Sequence, residues 1–75
     1  MSMKVTVKLF ATLREGRFVE DSRQYPSAAT VADVIADVGI REKVAIIFVN
    51  GRHAPPDQDL REGDTLALFP AIGGG

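Results

Sequence analysis

Only one stretch of this chain has a helical period, and strand-like runs lie on both sides of it. Thr30 stands before it as an N-cap, with Asp33 three residues on in a short version of the capping box. Val31, Val34, Ile35 and Val38 then recur at i, i+3, i+4 and i+7, which places them on one stripe. Gly39 supplies the stop. Three valines and an isoleucine are indifferent helix formers, so packing must hold this helix. A lone helix with one apolar stripe needs a sheet to cover, and the rest of the chain supplies strands.

Met3, Val5, Val7 and Leu9 alternate with Lys4, Thr6 and Lys8, the period of a half-buried strand. Phe10 to Gly16 breaks the alternation. Arg17 to Tyr25 is a poorer strand, which Pro26 ends. Val44 to Val49 is a continuous apolar run, expected as a central strand buried on both faces or nearly so. Asn50-Gly51 signals a hairpin, and Pro55-Pro56 cuts the return strand to about three residues. Asp57 to Leu60 is expected to make a helical turn, and Glu62-Gly63-Asp64 a tight one. In the last run, Thr65 to Phe69, Leu66 and Leu68 take one face and Ala67 and Phe69 the other.

The order β-β-α-β-β-β predicts an α+β fold: a β-grasp (ubiquitin-like) mixed sheet of four to five strands with one main helix on one face. The helix stripe is expected to pack on Val5, Val7, Ile46, Phe48, Leu66 and Leu68. A ferredoxin-like order would need a second helix between Gly51 and Asp64, where two prolines and the short span oppose one.

Seventy-five residues make one domain, read as 1–72 with a flexible glycine tail at 73–75. Chains this short are often stapled by disulfides or metals. The chain has no cysteine and one histidine, which excludes a disulfide, a thiolate metal site and a histidine cluster. Its core must hold alone, and 45% hydrophobic residues make that feasible. Lack of cysteine suits a cytoplasmic protein. No run approaches the roughly 18 apolar residues of a membrane span, and Met1 to Lys4 begins no signal peptide. Nine basic and ten acidic residues are scattered singly, with none of the basic footprint of nucleic-acid binding. A protein or small-molecule partner is expected instead.

Four segments together resemble a known family. They are "LFATLRE" after the first strand, "PSAATVADVI" opening the helix, "VNG" closing the third strand and "LREGDTLALFPAIGGG" at the end. In order and spacing they are similar to the MoaD/ThiS-like, ubiquitin-like sulfur carrier proteins, over essentially the whole chain. Within that family, "FATLRE" and "FP" look more like MoaD, the small subunit of molybdopterin synthase, than like the thiazole carrier. The third terminal glycine departs from the MoaD pattern, which usually ends in two, and adds about 3.5 Å of reach.

The resemblance implies that a ubiquitin-activating-type adenylyltransferase uses ATP to adenylate the Gly75 carboxylate. A sulfur donor then leaves a terminal thiocarboxylate for an acceptor, such as the molybdopterin synthase large subunit. The carrier binds no cofactor or metal and is no catalyst alone; it acts as a sulfur-donating cosubstrate and subunit. Glycine at the terminus leaves the carbonyl unobstructed by a Cβ, and Gly73 and Gly74 can thread a narrow channel. The expected partner interface is Ala67, Phe69, Pro70 and Ile72, with Phe10 and Arg14. Phe69 reads as interface before core, since parity at a chain end is easily shifted, and Phe10 as core before interface. Arg14-Glu15 also reads as a plain solvated pair, His53 as an exposed loop residue, and Asp57, Asp59, Glu62 and Asp64 as a solvated acidic loop. Carriers for thiazole, cysteine or tRNA thiolation, a ubiquitin-like protein modifier and a plain β-grasp binding module remain alternatives.

Overall fold

The computed structural model describes residues 1–71. Strand β1 (Ser2–Leu9) follows its alternation, burying Met3, Val5, Val7 and Leu9. A short 3₁₀ segment, Ala11–Arg14, buries Leu13 and leads to β2 (Glu20–Pro26), antiparallel to β1. That strand begins three residues later than its composition suggested, because Arg17 is occupied elsewhere. Its guanidinium donates to Glu42 at 2.9 and 3.1 Å, and to the carbonyls of Leu13 and Gly39.

Helix α1 (Val31–Val38) is capped as its residues dictate. The Asp33 amide donates to Thr30 Oγ1 at 3.3 Å, and the Thr30 amide donates to Asp33 Oδ2 at 2.8 Å. Gly39 ends it at φ +83°, a left-handed conformation that a side chain would oppose. Val31 and Val34 are fully buried, and Ile35 and Val38 flank them.

Strands β3 (Val44–Val49), β4 (Arg52–His53) and β5 (Thr65–Pro70) complete one sheet in the order β2-β1-β5-β3-β4. β1 and β5 run parallel at its centre, and the other neighbours are antiparallel. This is the β-grasp, with five strands and one helix. Asn50 and Gly51 both take positive φ, 53° and 79°, as a type I′ turn requires. Asn50 also ties the hairpin to the start of β5: its side-chain Nδ2 donates to Asp64 Oδ1 at 2.8 Å and its side-chain oxygen accepts from the Thr65 backbone amide at 2.9 Å.

Three expectations are corrected. The helix packs over Ile47 and Val49, not Ile46 and Phe48, and β3 is not buried on both faces. The register against β5 shifts between Val44 and Ile46, so Ala45 is an extra residue that inverts the parity beyond it. Val44 packs toward the core, whereas Ile46 turns out and is 41% exposed. Residues 57–60 form no helical turn. Pro55 to Gln58 is a tight turn that leads to a single bridge between Asp59 and Thr30. The carbonyls of Pro56 and Gln58 accept from the Ala32 and Val31 amides at 2.9 and 3.0 Å, satisfying helix donors that have no partner within α1.

Candidate functional site

The outer face of the sheet, away from the helix, carries a row of rings at the end of β5. Alternation sends Leu66, Leu68 and Pro70 to the helix side and leaves Ala67 and Phe69 half-buried on the other. Phe10 follows Leu9 with extended backbone, so its side chain emerges opposite the buried Leu9. Ala11 then takes φ 54° and the chain leaves the sheet. Phe10 stacks on Phe69 with centroids 4.3 Å apart and planes 10° from parallel. Phe48 meets the other side of Phe69 edge-on at 5.7 Å, and His53 meets Phe48 edge-on at 5.8 Å. The Arg14 guanidinium lies 5.3 Å above the Phe10 ring, and its Nε donates to the Leu9 carbonyl at 2.6 Å.

Phe69, Ala67, Phe10 and Arg14 are therefore brought together. Phe10 is not core, because its extended conformation prolongs the strand alternation by one residue. Pro70 departs from the expected group: it is buried and sits opposite Val44 on the core side. Ile72, Gly73, Gly74 and Gly75 lie outside the described residues, as does the expected tail 73–75. The root of that tail is described. The Ala71 amide donates to the Lys43 carbonyl at 3.1 Å, extending the β3–β5 pairing past Pro70. Phe48 and His53 join the row unforeseen. The one trace of the bulge that turns Phe48 outward is a residue as small as Ala45 in a bulky run.

The other groups singled out take structural places. Glu62 Oε1 accepts from the Lys4 amide at 3.0 Å and Asp64 Oδ2 from the Arg61 amide at 2.8 Å. On the helix side, Asp37 Oδ2 accepts from Tyr25 Oη at 2.9 Å and from Arg23 at 3.1 Å. Burial, then Asp37, pushes the Tyr25 phenol up to about 12, so it stays a donor. Among the described residues, no helix is long and apolar enough to cross a membrane, and no three His, Asp or Glu side chains converge as metal ligands.

Residues 7–75 match the family model of ThiS. The chain belongs to the ThiS family. As a member of this MoaD/ThiS-like group it is a ubiquitin-like sulfur carrier. It is similar to a Pyrococcus furiosus protein named for molybdopterin converting factor, subunit 1, with 30% identity over 93% of this chain and 99% of that one, and a TM-score of 0.79. The small archaeal modifier protein 1 of Haloferax volcanii is 25% identical, with 93% of this chain and 99% of that one covered and a TM-score of 0.74. A chain of the Helicobacter pylori complex of subunits 1 and 2 of molybdopterin-converting factor shares the fold at 20% identity, covering 97% and 100%, with a TM-score of 0.59.

Proposed function

We propose that this sulfur carrier is charged at Gly75 and supplies thiocarboxylate sulfur for the dithiolene of molybdopterin. The observation that carries the reading is the Phe10–Phe69–Phe48 row, which ends where the chain leaves the sheet at Ala71. A docking surface at the root of a reactive terminus delivers that terminus within a limited reach of the contact. The choice of molybdopterin is supported by the name of the Pyrococcus furiosus relative.

In the first step a Gly75 carboxylate oxygen attacks the α-phosphorus of ATP on an adenylyltransferase, and pyrophosphate leaves. Sulfide-level sulfur (HS⁻) from a donor then attacks the activated carbonyl, the C–O bond to AMP breaks and AMP departs, which leaves the thiocarboxylate. The carrier's own residues bind and aim; the partner supplies the chemistry. Docking on the molybdopterin synthase large subunit brings the sulfur to its acceptor. A second reading, a protein modifier joined through Gly75 to lysines, is favoured by the likeness to the small archaeal modifier.

Intact mass spectrometry after incubation with the cognate adenylyltransferase, ATP and a sulfur donor tests the proposal. One terminal oxygen replaced by sulfur is the expected shift. An unchanged mass sinks the carrier chemistry, and lysine conjugates in cells that vanish without Gly75 favour the modifier.

A further inference from the structure

Arg14 and Arg23 are two versions of one device, and only one of them is complete. The Arg23 guanidinium lies 4.9 Å above the Phe18 ring and meets two carboxylates of this chain: Nε donates to Asp21 at 3.1 Å and a terminal nitrogen to Asp37 at 3.1 Å. Arg14 lies 5.3 Å above Phe10 in the same manner, with Nε held by the Leu9 carbonyl. Among the described residues, its two terminal nitrogens have no hydrogen-bond partner and no carboxylate lies within ion-pair distance of it. A guanidinium that is stacked and anchored through Nε has lost rotamer freedom already and presents the remaining fork end-on. A small recess lined by Lys8, Phe10, Arg14, Val19 and Glu20 opens beside it.

The charge around this recess is net positive, Lys8 and Arg14 against Glu20. Among the outward-facing positions of the five strands Glu20 is the single carboxylate, and it sits 3.9 Å from Lys8. Asp21 and Asp37 turn to the helix side. A chain of net charge −1 thus keeps a basic rim on the face that bears the aromatic row.

We infer that Arg14 is a specificity-determining residue: it receives a carboxylate of the docked partner protein, an Asp or Glu side chain at the rim of an apolar contact surface. This rests on the sulfur-carrier reading, because it assigns the partner's chemistry at the same face. A carboxylate entering the recess meets the terminal nitrogens of Arg14 as Asp37 meets that of Arg23. It also desolvates the guanidinium over the ring, which strengthens the cation–π contact. A partner with a basic or neutral residue there meets an uncompensated cation and is rejected.

The test is the dissociation constant of the full chain with its cognate adenylyltransferase at low and high salt. The wild-type complex is expected to weaken as salt rises. Arg14→Gln is expected to bind about tenfold more weakly at low salt and to lose most of the salt response. Arg14→Lys regains part of both. Phe69→Ala binds more weakly but keeps the salt response, and Lys8→Gln, on an exposed strand position, loses a smaller share of it. A melting curve verifies that each variant is folded, and Lys8→Gln carries the comparison if Arg14→Gln is not. A salt dependence as large as that of the wild type in Arg14→Gln, or in Lys8→Gln where that variant stands in for it, overturns this inference alone. A wild-type chain that neither binds the enzyme nor gains sulfur overturns the carrier reading, and this inference with it.

Discussion

Phe69 and Leu68 are neighbours in β5, yet they do different work. Leu68 is fully buried under the helix, while Phe69 is half-buried between two other rings on the opposite face. Leu68→Ala is expected to cost about 2–5 kcal/mol of stability, the range for deleting a core side chain. Phe69→Ala gives up two aromatic contacts of about 0.5–1.5 kcal/mol each but opens no internal cavity. In urea titrations the Leu68 variant is expected to be the less stable, and in binding assays the Phe69 variant the weaker. The opposite ranking would make Phe69 a core residue. At the terminus, Gly74→Ala adds a single methyl group next to the reacting end. It is expected to leave the urea midpoint unchanged and to abolish charging by the adenylyltransferase. Normal charging would remove the threading argument.

At the level of elements, the helix depends on its first turn. Thr30 and Asp33 exchange hydrogen bonds, and the Pro55–Gln58 turn supplies two further acceptors from a distant part of the chain. Its β-branched residues contribute little intrinsic helicity, so the cap carries a larger share. Thr30→Ala is expected to destabilise the protein by about 1 kcal/mol, read from the urea midpoint at an unchanged m-value. A smaller loss would mean that Pro56 and Gln58 hold the helix start by themselves. Strand β3 shows the opposite dependence. One extra residue at Ala45 decides which side chains meet the helix and which join the ring row.

Across the molecule, Arg17 joins three parts of the chain: the turn after β1, the end of α1 and the segment before β3. The Arg17 hydrogen bonds hold the Glu42 carboxyl at about 2, below its ordinary 4.5. A carboxylate with a depressed folded pKa adds stability that is present above the unfolded value and lost as pH falls through the folded one. The Glu42 contribution is therefore complete above about pH 4.5 and gone near pH 2. Glu42→Gln is expected to lower stability at neutral pH and to flatten its decline over that window. Thermal melts from pH 7 to pH 2 measure it. A decline as steep as that of the wild type would place the acid sensitivity in other carboxylates. Glu42 is partly solvated, so the effect is modest and shrinks with salt.

Much of this protein is written locally. The alternation of β1 and β5, the Thr30–Asp33 box, the Gly39 stop and the Asn50-Gly51 turn all depend on residues a few positions apart, and each forms as its chemistry requires. The same holds for the family signature at the C-terminal end, which runs from Gly63 through Phe69-Pro70 to the three glycines. The tertiary structure decided what depends on register. The identity of the β3 core face was hidden because a bulge is defined only against the partner strand, and one residue exchanges inside for outside. Phe10 became an outward-facing residue stacked on Phe69, and Pro70 a buried one, only through the strands they lie against. Arg14 looks like half of a solvated pair in sequence. Its place above a ring, with its fork open, exists only once β1 and the turn that follows it are folded.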